Sequence, residues 1–253
     1  MISKTKIKSI RQLELKKQRV AKGLFVAEGP KVVADLMQRF SVHTLVATHE
    51  CLQTLPAAAP NTEVIEVTAD ELRKVSFLQH PQGVLAVMGM PTATGPDVQW
   101  PESELVLALD GVQDPGNLGT IIRIADWFGI THVVCSGETA DVYNPKVVQA
   151  TMGSLARVEV CYTQLPQYVE LVRSQAPVYG TLLEGESLYD APLSTHGLII
   201  MGNEGNGLSP AIRQMLTQSL FIPNYPRERA TADSLNVAVA TAIICAEFRR
   251  KNG

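Results

Sequence analysis

The chain has 253 residues, 45% of them hydrophobic and 19% charged, with a net charge of −3. This is globular composition, which argues against disorder of the whole chain, and the length admits one large domain or two ordinary ones. No apolar run approaches the roughly 20 residues that a membrane span needs, and the lysine-rich start lacks the apolar stretch of a secretory signal, so a cytoplasmic protein is expected.

From about residue 6 to residue 39 the pattern is helical, with Leu13, Val20, Val32, Val33, Leu36 and Met37 recurring at three- and four-residue steps. The break is Ala27-Glu28-Gly29-Pro30, where Pro30 would open a second helix at its first turn. Residues 1–22 carry Lys4, Lys6, Lys8, Arg11, Lys16, Lys17, Arg19 and Lys22 against the single acid Glu14, a local charge of +7, so the whole-chain −3 leaves −10 on the remainder. A basic arm on an acidic body suits contact with a phosphate backbone, where each neutralised phosphate releases counterions; a solvated helix face has the same composition, and charge alone leaves both readings open. Strand-like runs at 44–47, 63–67 and 83–88 and a helical run at 69–75 complete a small α+β unit of some ninety residues. Residues 91–101, with three prolines and no period, read as a linker.

Beyond residue 101 the rhythm changes. Short runs that are apolar on both faces, at 105–109, 132–135, 158–161, 178–183, 198–201 and 220–223, alternate with helical stretches at 118–128, 145–152, 165–174, 209–216 and 234–250. Such alternation predicts an α/β domain whose mostly parallel sheet is covered by helices on both faces. The organisation expected is therefore a front domain over 1–90, a linker over 91–101 and a larger domain over 102–253. Cys51, Cys135, Cys161 and Cys245 are far apart and suit reduced core thiols, and the five histidines are scattered, so neither a disulfide framework nor a clustered metal site is expected.

Three polar junctions follow strands of the larger domain, where ligands gather in open parallel sheets. In the first, Asp110-Gly-Val-Gln-Asp-Pro-Gly-Asn-Leu-Gly-Thr-Ile-Ile-Arg123, the residues Asp114 to Gly116 make a turn and Asn117 is placed to cap a helix. Arg123 stands between Ile122 and Ile124 and calls for a partner, with Asp110, Asp114 or Asp126 available. In the second, Met201-Gly-Asn-Glu-Gly-Asn-Gly-Leu-Ser209, the glycines allow close approach of backbone to a ligand, although a tight strand-to-helix connection would use them too. It is neither a dinucleotide fingerprint nor a phosphate-binding loop. In the third, Ser234 or Asp233 is placed to cap the last helix, and Asn236 must satisfy its amide at an otherwise apolar helix start.

Taken together and in this order, residues 110–123, Gly202-Asn-Glu-Gly-Asn-Gly-Leu-Ser209 and Ser234-Leu-Asn-Val-Ala-Val-Ala240 resemble the three signature motifs of the SpoU (TrmH-like) RNA 2′-O-ribose methyltransferases of the SPOUT superfamily. The front resembles the ribosomal-protein-like RNA-binding domain that precedes the catalytic domain in many members. One departure is the loop from Ile222 to Ser234, which is longer and glycine-free here and contains Arg227, Glu228 and Arg229.

The resemblance implies a parallel sheet with a C-terminal trefoil knot and a homodimer formed through the larger domain. It also implies transfer of a methyl group from S-adenosylmethionine to a ribose 2′-hydroxyl of RNA, ribosomal rather than transfer RNA, with S-adenosylhomocysteine as product and no metal. Cofactor contacts are implied at Thr181, Leu182, Leu183, Gly202, Asn203, Gly207, Ile222, Pro223, Ser234, Leu235 and Asn236. Catalytic or orienting roles are implied for Asn117, Arg123, Glu204, Ser234 and Asn236, and RNA contacts for Lys4, Lys6, Lys8, Arg11, Lys16, Lys17 and Arg19. Two other readings remain: an RNA-binding scaffold without catalysis, and methylation of a base.

Overall fold

The computed structural model describes residues 2–226 and 232–252. The chain divides into two compact units, one of Met1–Thr92 with Asp141–Ala156 and one of Ala93–Ala140 with Arg157–Gly253.

The first unit opens with helix α1 (Lys4–Arg11), which Ser3 caps by accepting the Lys6 N–H at 3.2 Å, and helix α2 (Lys16–Lys22). Gly23, at a φ of +63°, then ends α2 in the left-handed region that glycine adopts without strain. Here the helical expectation for the front needs correcting, because Leu24–Glu28 is a strand, β1. Phe25, Val26 and Ala27 are buried and pair antiparallel with β4 (Val84–Gly89), so tertiary pairing overrides a three-four spacing that the flanking helices carry. Helix α3 (Pro30–Leu36) starts at the proline as expected, and β2 (Val42–Ala47), α4 (His49–Leu52), β3 (Glu63–Glu66) and α5 (Ala69–Val75) follow. A reciprocal capping box between Thr68 and Glu71 fixes the start of α5. Among the described residues these strands form a four-stranded sheet in the order β1-β4-β2-β3. Ile10, Leu13, Val26, Val46, Leu72, Val75, Leu85 and Val87 meet in its core.

The Asp141–Ala156 stretch groups with this front unit, although the periodicity placed it in the larger domain. Its helix α8 (Pro145–Ala150) lies against β1, the Tyr143 ring sits 4.9 Å from that of Phe25, and Asp141 accepts a 2.5 Å hydrogen bond from the Arg19 guanidinium.

In the second unit, α6 (Trp100–Ser103) begins inside the expected linker. Trp100 stacks on His132 and Tyr168 donates its hydroxyl hydrogen to the Asp97 carbonyl, so the latter half of that stretch is packed rather than free. The strands are β5 (Leu105–Asp110), β6 (His132–Ser136), β7 (Glu159–Thr163), β8 (Val178–Ser187), β9 (Gly197–Gly202) and β10 (Gln218–Phe221). Among the described residues they form one sheet in the order β10-β8-β9-β5-β6-β7, and every pairing is parallel. The crossover helices are α7 (Pro115–Trp127), α9 (Leu165–Val172) and α10 (Pro210–Arg213), with α11 (Val237–Asn252) last. Tyr168, Val169 and Val172 of α9 and Ile212 of α10 pack on Val106, Ala108, Leu198 and Ile200, while α11 packs on α7 and β9. Burial of both faces explains why β5 and β9 carry no alternation of polar residues. All four cysteines are buried free thiols.

Candidate active site

β5 and β9 lie side by side with Asp110 in register with Gly202, so the first two polar junctions leave the sheet together at the carboxyl ends of their strands. Two side chains bind these junctions to each other. Asp110 accepts the Ser209 N–H at 2.7 Å, and Asn203 donates its amide to the Gly111 carbonyl at 2.7 Å. The Asn203 Oδ1 accepts the N–H groups of Gly205 and Asn206 at 2.9 and 3.0 Å, shaping the loop from within. Gly202 has no room for a side chain, since a Cβ there would fall on the backbone of Gly207 and Leu208. Gly207 sits at a φ of +67°, in the left-handed region.

Across this junction runs a chain of amides ending on a carboxylate. Glu204 accepts the N–H groups of Gln113 and Asp114, each at 3.3 Å, and the Asn117 Nδ2 at 3.0 Å. The Asn117 Oδ1 accepts from the Asn236 Nδ2 at 2.9 Å, and the Asn236 Oδ1 accepts the Ala238 N–H at 3.0 Å and the Val239 N–H at 3.3 Å. Each amide is oriented by its neighbours: a carboxylate requires the donor end of Asn117, which leaves its acceptor end for Asn236. Burial alone would raise the Glu204 carboxyl, but hydrogen bonds from Asn117 and from the backbone at Gln113 and Asp114 outweigh it and hold the group below the usual carboxylate range.

Two caps differ from expectation. Asp114, not Asn117, caps α7, its Oδ1 accepting the Asn117 N–H at 2.8 Å with Pro115 in the first turn; this frees the Asn117 side chain for Glu204. Asn236, not Ser234 or Asp233, caps α11, which accounts for half of the amide that an apolar helix start left unexplained.

Beside the chain of amides opens a cavity of about 750 Å³. Thr181, Leu182, Leu183, Gly202, Asn203, Gly207, Ile222, Pro223, Ser234 and Leu235 line it, together with Glu204. Asn236, Asn117 and Arg123 do not; the Asn117 side chain is hydrogen-bonded to Glu204 of the wall, and Asn236 stands between the lining residues Leu235 and Val237 and donates to Asn117. Arg123 is exposed on α7 and makes no hydrogen bond or ion pair with any described residue. Its expected partners are engaged elsewhere, Asp110 with Ser209, Asp114 with the helix cap and Asp126 with the Arg157 guanidinium at 2.7 to 3.1 Å. In the longer loop from Ile222 to Ser234, Arg227, Glu228 and Arg229 lie outside the described residues.

The periodicity missed Leu188, Leu220, Val237, Ala240 and Ile244 in the wall, because apolar residues in strands and helices read as core. It also missed Arg213, the one cation among the described lining residues, whose Nε donates to the Leu208 carbonyl at 3.0 Å. No spacing marked that residue.

Of the cations at the front, Lys4, Lys8, Lys16 and Lys17 are exposed and without a partner among the described residues. Lys6 pairs with Glu63, and Arg11 donates to the Ser76 carbonyl at 2.5 Å and lies 4.7 Å from the Phe77 ring centroid. Arg19 departs from the expected surface role. It is 1% exposed, and its guanidinium donates to the carbonyls of Leu13 and Glu14 and to Asp141, so no face of it is left for a phosphate. Among the described residues no three potential ligands converge as a metal site, and no helix is long and apolar enough to cross a membrane.

Comparison with known proteins adds to this geometry. Residues 104–246 match the model of the SpoU rRNA Methylase family, and residues 4–86 match an MRM3-like substrate binding domain. The 23S rRNA guanosine 2′-O-methyltransferase RlmP of Bacillus subtilis is 32% identical over 96% of both chains. Among solved structures, a TrmH-family protein from Porphyromonas gingivalis superposes with a TM-score of 0.90 at 40% identity, covering 99% of both chains. The SpoU methyltransferase AviRb of Streptomyces viridochromogenes, solved with S-adenosylmethionine, gives 0.81 at 27% identity, covering 99% of this chain and 98% of that one.

Proposed function

The chain belongs to the SpoU rRNA methylase family, and from that premise we propose that it transfers a methyl group from S-adenosylmethionine to a ribose 2′-hydroxyl of ribosomal RNA in the cytoplasm. The observation that carries the reading is the Glu204–Asn117–Asn236 chain, which ties the three signature stretches together at the wall of one cavity. The wall suits the cofactor: glycine backbone at 202 and 207 allows close approach, apolar Leu183 and Leu235 are 75% and 51% exposed, and Arg213 offers a cation to a carboxylate. A C-terminal segment threaded as a trefoil knot would bring residues 222–224 and 232–235 to that wall.

S-adenosylmethionine, when bound, supplies a methyl group already activated by the sulfonium charge. The protein's part is then alignment of the ribose oxygen and help in losing its proton. Arg123 contacts the 2′-oxygen as negative charge grows on it, and the neighbouring phosphate; a guanidinium carries donors and no acceptor, so it stabilises that charge and is no base. Asn117 orients the ribose, Glu204 holds Asn117 and the 113–114 backbone, and Ser234 and Asn236 position cofactor and substrate.

The front domain, residues 1–90, docks RNA through Lys4, Lys8, Lys16 and Lys17, with 91–101 leading to the catalytic domain at 102–253. Trp127 on α7 and Val239 on α11 are 84% and 51% exposed, apolar surface that a second copy would cover in a homodimer. Arg123→Ala should abolish methyl transfer while S-adenosylhomocysteine and RNA still bind; retained turnover would remove Arg123 from the mechanism. Mass spectrometry of nucleosides from the treated RNA should show a 2′-O-methyl nucleoside, and a base-methyl product would overturn the ribose assignment.

A further inference from the structure

The first unit holds a second cavity, of about 280 Å³, remote in sequence from the signature motifs. Val26 and Pro145 supply apolar wall, Glu28 and Phe77 line another part, and Lys146 and Gln149 of α8 complete it. The volume lies just under the roughly 300 Å³ at which pockets for drug-sized ligands begin, so it suits one planar ring system rather than a whole nucleotide.

Its polar groups are specific. Glu28 is 5% exposed, and its carboxylate accepts the Phe77 N–H at 2.7 Å and the Ser76 hydroxyl. A carboxylate has about four lone-pair sites, so two acceptor positions remain after these bonds. Burial raises the Glu28 carboxyl above its ordinary range, with Ser76, Phe77 and the Arg11 charge acting against it. The Lys146 ammonium is exposed, the Gln149 amide is half-buried, and neither side chain has a partner among the described residues. The Arg11 guanidinium lies over the Phe77 ring, which packs against the core of the unit and also lines the cavity.

We propose that this cavity binds a single unpaired guanine base of the RNA substrate, with Glu28 accepting its N1–H and 2-amino hydrogens, Phe77 stacking on the ring, and Lys146 and Gln149 donating to O6 or N7. Two adjacent donors on the Watson–Crick edge distinguish guanine. Adenine presents one donor beside an acceptor, and uracil one donor between two acceptors, so each would turn an acceptor toward the carboxylate. RNA-binding domains read splayed-out bases in this manner, by stacking and by hydrogen bonds to their edges. The proposal rests on the reading of RNA as the substrate.

The test is calorimetric titration of the full chain with guanosine, inosine and adenosine 5′-monophosphates, with S-adenosylhomocysteine saturating so that the larger cavity is closed to purines. The guanosine nucleotide should bind saturably, inosine monophosphate roughly 10-fold more weakly for want of the 2-amino donor, and adenosine monophosphate not measurably. Because Glu28 also holds Ser76 and Phe77, Glu28→Gln can fail to fold; Gln149→Trp, which fills the cavity from α8, is the second variant. It should abolish guanosine monophosphate binding with S-adenosylhomocysteine affinity unchanged. Equal binding of all three nucleotides, no saturable binding at low-millimolar concentration, or binding unaffected by Gln149→Trp would overturn the proposal. Methyl transfer by the same preparation, measured separately, distinguishes failure of this pocket from failure of the reaction.

Discussion

Replacing Asn117 by aspartate exchanges one donor for one acceptor at the point where the amide meets Glu204 at 3.0 Å, and leaves the volume of the side chain nearly unchanged. In the wild-type chain Glu204 is stabilised in its charged form, chiefly by Asn117 and the 113–114 backbone acting against burial. In the variant two carboxylates face each other. Unit charges about 4 Å apart repel by roughly 1 kcal/mol in water and about 4 kcal/mol at the effective dielectric of a protein surface. Glu204 is exposed and Asn117 only half-buried, so the lower end applies, about 1 to 2 kcal/mol, to which loss of the hydrogen bond adds about 1 kcal/mol. For a chain of this size that lowers the melting temperature by about 4 to 12 °C at pH 8. The sign with pH is fixed: Glu204 has a depressed pKa, so its contribution is present above the unfolded carboxyl value, roughly 4.3, and is lost as pH falls through the folded one. In Asn117→Asp the pair shares a proton at low pH, and the deficit relative to wild type should shrink as pH falls toward about 4.5. Thermal melts of wild type, Asn117→Asp and Asn117→Ala across that range separate repulsion from simple loss of a bond. A variant as stable as wild type at pH 8, or a deficit independent of pH, would refute the idea that this carboxylate is charged and fastened to Asn117.

Gly202→Ala should destabilise the fold by several kcal/mol or weaken S-adenosylhomocysteine at least tenfold, since its Cβ would overlap Gly207 and Leu208; calorimetry and thermal melts check both. Lys16→Ala with Lys17→Ala should lower RNA affinity and reduce the slope of log affinity against log salt by about 1 for each phosphate no longer neutralised, whereas Arg19→Ala should act on stability, because that side chain is buried against Asp141. Arg249→Ala removes donors to the Phe128 and Gly129 carbonyls at the end of α7, at 2.8 and 3.1 Å, and should cost about 1 to 2 kcal/mol in chemical denaturation with little change in cofactor affinity.

The parallel sheet could be read from the chain because burial on both faces writes itself as uninterrupted apolar strands, and β5, β6 and β9 begin within a residue of where those runs begin. Strand β1 could not. Its pairing partner β4 lies some sixty residues away, and a four-residue apolar run between helices satisfies a helical spacing as well as a pleated one. The same limit applies to Asp141–Ala156, whose proline-led helix looks like another crossover element until the partner of Arg19 is known.

Within the candidate site, residue type was informative wherever the local backbone alone constrains it, as for Gly202 and Gly207. It was misleading wherever two polar residues compete for one task. Asp114 and Asn117 are both good caps, and only the presence of Glu204 opposite decides which takes the helix end: a carboxylate at Asp114 can accept from the helix N–H, while Glu204 requires a donor, which Asn117 has and an aspartate lacks. The assignment thus follows from charge complementarity across loops nearly ninety residues apart. By the same reasoning Arg123 is informative through what it lacks. An arginine whose candidate acids are engaged with other groups, on a helix whose cap and first turn are fixed by Asp114 and Pro115, has no partner among the described residues, which is what the proposed contact with an external anion requires.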